Sequence, residues 1–231
     1  MVVGSYSSSG VGPEPHANDL THSDGEGTPV PGAPPPGRCL HHPWDVGTAR
    51  LLAALGFEAL ATTSAGYAFS VGQRDNTVGR EKMMEHVEAI ASATDLPVSG
   101  DLENGFGDDP EAAAETIRLG AAAGLVGGSI EDSTGRPEAP LYEPRLAAER
   151  VRAAVDAARA LPFPFTLTGR AENFLVGRRD LADTIARLQA YQEAGVWLPG
   201  VACRRFSGKL RGRWTTPRSA LPVSIPRSRG C

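Results

Sequence analysis

Between residues 44 and 195 short apolar runs that end in polar residues alternate with amphipathic stretches rich in Ala, Glu and Arg. A run of roughly four to eight apolar residues has the length of a buried strand, whereas apolar positions spaced three and four apart mark one face of a helix. The predicted strands are 57–62 (FEALAT), 96–101 (LPVSGD), 125–131 (LVGGSIE) and 163–168 (FPFTLT). Predicted helices follow at 80–94, 110–123, 144–160 and 180–194, and one more, 46–55, precedes the first strand. Asp109 before Pro110 sets a capping side chain ahead of a first-turn proline, and Gly124 and Gly195 follow the last turns of their helices. Such alternation demands parallel strands joined by crossover helices. A doubly wound open sheet and a (β/α)8 barrel both satisfy it, and both place ligands at the C-terminal ends of the strands.

The flanking segments differ from this body. Residues 1–43 hold eight Pro and seven Gly, and read as a tail, because each Pro lacks an N–H and fixes φ. Residues 44–195 carry 23 acids against 14 bases and no Cys. Residues 196–231 carry seven Arg and Lys209 without one Asp or Glu, and read as a basic, irregular tail. That ending also fits an out-of-frame reading of GC-rich coding sequence. No window approaches the roughly 20 apolar residues of a membrane span, and no secretory signal is visible at the N-terminus. Three cysteines in a chain of 231 residues make no disulfide framework, so a reducing cytoplasm is the expected compartment.

A parallel sheet gathers its strand ends on one rim, and here those ends are acidic. The second strand runs into Asp101-Leu102-Glu103, where a period of two points both acids to one side. The third ends in Glu131-Asp132, and Arg170-Ala171-Glu172-Asn173 follows the fourth. Converging carboxylates repel unless something positive sits among them, and Mg2+ accepts an oxygen-only site with few protein ligands. Asp101, Glu103 and Glu131 are therefore the candidate metal ligands. Arg170 is suited to clamp a carboxylate or phosphate through two parallel N–H bonds, although an inter-strand ion pair would also account for it.

Absences narrow the chemistry further. Neither GxGxxG after the first strand nor GxxxxGK[ST] occurs, which disfavours nucleotide-binding folds. The body's only Lys, Lys82, lies on a predicted helix, so a Schiff-base aldolase is disfavoured. His86 falls at helical spacing among Met83, Val87 and Ile90, and is expected to be partly buried rather than a base.

The segments PWDVGTARLLAALGFEALATTSAGYAFSVGQRD, GDLENGFGDDPEAAAETIRLGAAAGLVGGSIED and FTLTGRAENFLVGR, in this order, resemble the isocitrate lyase and phosphoenolpyruvate mutase superfamily, on its phosphonomutase-like side. The resemblance implies a (β/α)8 TIM-type barrel, Mg2+ as cofactor, and a small 2-oxo or enol acid as substrate. By that similarity Ser64, Ala65 and Gly66 match a loop that binds the substrate carboxylate. Asp101 and Glu103 match the metal-binding pair, Glu131 the metal-associated Glu, Asp75 an acid of the metal's outer shell, and Arg170 the substrate-binding Arg. Asp75 and Arg170 would be the catalytic residues. Lyases of the superfamily carry a KxCGH-type motif after the Glu-Asp strand end, where this chain has Ser133-Thr134-Gly135-Arg136-Pro137-Glu138.

The body supplies about half a barrel, which is expected to expose two sheet edges and an apolar inner face. Three functions follow as expectations. The first is an Mg2+-dependent mutase or carbon–carbon lyase acting through a pyruvate-enolate-type intermediate and assembling as a homo-oligomer once the barrel is completed. The second is an inactive relative that binds only metal or carboxylate. The third and weakest is a nucleic-acid binder using the arginine-rich tail.

Overall fold

The computed structural model describes residues 40–196 and 198–201. Helix α1 (Val46–Ala54) starts at Asp45, whose side chain accepts the Thr48 N–H. Strand β1 (Leu60–Ala61) leads into helix α2 (Ser64–Ser70), and α3 (Arg80–Ala91) precedes β2 (Val98–Asp101). Helix α4 (Pro110–Ala122) begins on the expected Asp109 cap with proline in its first turn. Strand β3 (Gly127–Glu131), helix α5 (Pro144–Arg159), strand β4 (Thr166–Ala171), helix α6 (Leu181–Ala194) and strand β5 (Leu198–Val201) complete the order. Gly195 closes α6 in the left-handed region at φ 103°, where a side chain would strain the backbone.

The five strands form one parallel sheet in the order β1-β2-β3-β4-β5, which is the parallel α/β arrangement expected. Four placements differ from expectation. The run 163–168 becomes a strand only from Thr166, because Pro164 has no N–H to pair, and Arg170 consequently lies inside β4. The segment after Thr63 is helical, since Thr63 Oγ1 accepts the Gly66 N–H and starts α2. Residues 198–201, assigned to the irregular tail, form the sheet's edge strand, a position that tolerates Pro199. At the other edge His41, assigned to the Pro-rich tail, makes a parallel bridge with Leu60 and accepts the Ala61 N–H at 2.9 Å. The rest of both tails lies outside the described residues.

Alternation along the strands gives the sheet two different faces. Val98, Ile130, Leu167 and Ala171 are buried in one core with Ile117 of α4, Val151 of α5 and Leu188 and Tyr191 of α6. The opposite face carries Ser99, Asp101, Ser129, Glu131, Thr166, Thr168 and Arg170. The inner face is thus polar along β2, β3 and β4, not apolar as the half-barrel expectation held. Among the described residues no helix is long and apolar enough to cross a membrane.

Candidate active site

Register decides which polar side chains meet. Asp101 pairs with Ser129 across β2 and β3, and Glu131 pairs with Arg170 across β3 and β4, so the three charged groups project from adjacent strand ends on one face. Arg170 Nη1 donates to Asp101 Oδ1 at 2.9 Å, Nη2 donates to Glu131 Oε2, and Nε donates to Glu172 Oε1 at 2.8 Å. The other oxygen of Asp101 accepts both the backbone N–H of Ser64, at 3.1 Å, and its hydroxyl, at 3.0 Å. The Asp101 N–H is held in turn by Thr62 Oγ1 at 2.9 Å.

Glu103 joins this rim by a different route. Strand β2 ends at Asp101, and Glu103 has φ 49°, so the period of two does not continue to it. It is the bend after the strand that carries the second acid inward, where Glu103 is only 5% exposed. Its Oε1 is buried without a partner. Burial, reinforced by Asp75 and Asp101, pushes its pKa up to about 7 against the opposing pull of Arg170. Burial raises Glu131 likewise, to about 8, although Arg170 opposes the rise. Glu172 is also raised by burial, and its Oε2 is a second buried oxygen with no partner. Three carboxylates bond a single guanidinium and a fourth, Glu103, stands near enough to feel its charge, while two oxygens of the group are left unmatched.

Behind the rim lies a second polar cluster, in which both oxygens of Asp132 are matched. Asp132 Oδ1 accepts the Glu172 N–H at 2.8 Å, and Oδ2 accepts from Arg187 at 3.1 Å and from the Tyr191 hydroxyl at 2.6 Å. Arg187 also donates to Asp183 and to the Tyr142 carbonyl. Arg150, 1% exposed, donates to the carbonyls of Asn104, Asp108 and Asp109 and so clamps the loop after β2. These residues fix Glu172 and the Glu103 loop from behind.

Of the predicted site residues, Asp101, Glu131 and Arg170 are in direct contact, and Ser64 joins them through Asp101. Glu103 and Asp75 are close enough to interact electrostatically. Ala65 and Gly66 lie in the first turn of α2, next to Ser64, and a Cβ at Gly66 would stand 2.5 Å from Trp44 Nε1. His86 is buried, stacked on Tyr67 at 3.9 Å, and held down to about 4 by burial, so it is neutral at neutral pH. Glu172 was not singled out from the sequence, although the spacing Arg-x-Glu at a strand end is a usable signal for an acid beside the Arg.

The donor set suits a hard divalent cation: it offers only oxygen ligands, and Glu103 Oε1 is buried with nothing to bond. As arranged, however, no three acidic, His or Cys side chains among the described residues surround one point. Arg170 bonds to both Asp101 and Glu131 instead. An open cavity of about 680 Å3 lies alongside, lined by Glu103, Asn104, Phe106, Arg80, Lys82 and Arg136 among others. It gives a small molecule access to the rim.

Residues 33–203 match the family model described as phosphoenolpyruvate phosphomutase. The chain belongs to that family. A crystal structure of a lyase/mutase candidate from Burkholderia cenocepacia J2315 is 63% identical over 72% of this chain, with a TM-score of 0.70. The 2-methylisocitrate lyase of Escherichia coli strain K12 is 31% identical over 148 residues, 61% of this chain. A phosphonopyruvate hydrolase solved with oxalate and Mg2+ shares the fold at 24% identity, covering 72% of this chain with a TM-score of 0.64. The chain spans 60% of the first structure, 49% of the lyase and 59% of the hydrolase. The family's fold is the TIM-type barrel of the phosphoenolpyruvate mutase and isocitrate lyase superfamily, of which this chain covers part.

Proposed function

We propose that this family member binds Mg2+ at Asp101, Glu103 and Glu131, and acts on a small 2-oxo or enol acid by stabilising a pyruvate-enolate type of intermediate. The reading is carried by one observation: three carboxylates share one guanidinium at the C-terminal strand ends, and beside them an oxygen of Glu103 is left unmatched. When bound, a divalent ion supplies Lewis-acid stabilisation of developing oxyanion charge. Asp101, fixed by Ser64 and Thr62, provides a pre-oriented carboxylate. Arg170 provides a planar fork for a carboxylate or phosphonate group. Ser64, Ala65 and Gly66 would border the substrate's carboxylate, with Asp75 as an acid of the metal's outer shell. The resemblance also supports a homo-oligomer and a cytoplasmic setting.

A carbon–carbon lyase that uses a Cys acid is disfavoured by a separate observation. The turn after β3, 133–138, contains none of the Lys, Cys and His of the lyase motif. The nucleic-acid alternative depends on residues 202–231, which lie outside the described residues. Calorimetric titration of Mg2+ together with oxalate, a mimic of the enolate, tests the site. Cooperative binding that is lost in Asp101→Ala is expected. Absence of heat, or undiminished binding in Asp101→Ala, would reject the site. Release of pyruvate from 2-oxo dicarboxylates or phosphonopyruvate then separates turnover from binding alone.

A further inference from the structure

The cation implied by the donor set and Arg170 need the same oxygens. Arg170 holds Asp101 Oδ1 at 2.9 Å and also bonds Glu131 Oε2, so a cation taking either oxygen meets the positive charge of the guanidinium beside it. The arrangement nevertheless contains a second seat for this side chain. Nε already donates to Glu172 Oε1 at 2.8 Å, while Glu172 Oε2 is buried and has no partner. Carboxylate and guanidinium match as two parallel N–H···O bonds, and only one of the two is made. Glu172 is fully buried, and its backbone N–H is tied to Asp132, so the acceptor is fixed and the Arg is the mobile member.

We infer that Arg170 is an exchangeable internal counter-ion, resting on Asp101 and Glu131 until a divalent cation takes their oxygens, and that Glu172 is the positioning residue that receives its displaced fork. The inference rests on the proposed Mg2+ site and specifies how that site is filled. Turning about the Nε–Glu172 bond brings the second N–H to Oε2 and releases the two strand-end carboxylates. The remaining N–H groups of Arg170 then face an anionic ligand instead of Asp101 and Glu131. Two consequences follow. Apart from the cation, a carboxylate ligand meets an Arg that is already neutralised and a rim that repels it. With the cation in place, the same side chain becomes its receptor. Metal and carboxylate ligand therefore bind with positive coupling, and by reciprocity each raises the affinity of the other by the same factor.

The test is calorimetric titration of Mg2+, with and without oxalate, into the full chain and into R170Q and E172Q. Wild type is expected to bind Mg2+ at least about tenfold more tightly with oxalate present, a difference near 1.4 kcal/mol. R170Q removes the resident competitor, so its Mg2+ affinity without oxalate should rise about tenfold while the oxalate effect disappears. E172Q keeps an acceptor for Nε but faces the second N–H with an amide, so it should bind Mg2+ more weakly than wild type and lose the coupling. A purely structural Glu172 would instead lower the melting temperature and leave the coupling factor unchanged. Wild type that binds neither ligand overturns the Mg2+ site itself. Wild type that binds both, with R170Q no tighter for Mg2+ or E172Q fully coupled, overturns only the counter-ion exchange. If R170Q does not fold, the coupling factor in E172Q decides alone.

Discussion

Arg187 and Arg170 stand on the same sheet's flank and rim, and their surroundings differ in one respect. Arg187 and Asp132 are each 1% exposed, and every oxygen of Asp132 is matched by Arg187, Tyr191 or a backbone N–H. Arg170 is 23% exposed, faces more carboxylates than it can neutralise, and leaves Glu103 Oε1 and Glu172 Oε2 without partners. A buried polar cluster that is complete braces the fold, whereas one that is incomplete has room for a ligand. The difference teaches where to look for function: not at the most buried ion pair but at the one whose charges do not close.

The largest effect is expected behind the rim. Removing one partner of the Asp132–Arg187 pair, as in Arg187→Met, leaves a buried charge alone and should cost about 3–5 kcal/mol of stability in denaturant unfolding. Arg170→Met should cost less, because the rim reaches solvent. A larger loss at Arg170 than at Arg187 would reverse the comparison.

Next in size is Glu103→Gln, which removes a buried carboxylate that no donor satisfies. It should raise stability by about 1–2 kcal/mol near pH 8, since the charge it deletes is uncompensated, while abolishing Mg2+ binding. Destabilisation would mean that Glu103 has a partner that stabilises its ionised form.

A further effect concerns pH. Glu103 and Glu131 have folded pKa values near 7 and 8, above the ordinary carboxylate value of 4.5. Between pH 4.5 and about 8 the folded chain therefore holds protons that the unfolded chain has lost. Their contribution to stability is complete below about 4.5 and declines as pH rises through 8. Thermal melts across this range should show the decline, flattened by saturating Mg2+. Stability that rises from pH 5 to 8 would place the excess charge elsewhere.

Much of this contrast was legible in the sequence. Strand–helix alternation gave the parallel sheet, and the strand-end positions of Asp101, Glu131 and Arg170 placed them on one rim, because periodicity and parallel pairing are local rules with global consequences. What escaped is governed by tertiary context. Glu103 was named as a ligand, but its own left-handed backbone conformation carries it to the rim, and no period describes that route. Glu172 acquires its meaning only from the guanidinium beside it. The strand at 198–201 contains Pro199 and Gly200, which read as loop residues, yet an edge strand accepts them. Likewise α2 begins at a Thr63 cap whose partner lies three residues on, a signal weaker than the polar run around it.

The most direct test of an unneutralised acidic rim built to receive a cation is water-proton relaxation with Mn2+ on the purified chain. One tightly held Mn2+ per chain, displaced by Mg2+ and lost in Asp101→Asn, is the expected result. Relaxation no different from free Mn2+, or enhancement that survives in Asp101→Asn, would contradict it.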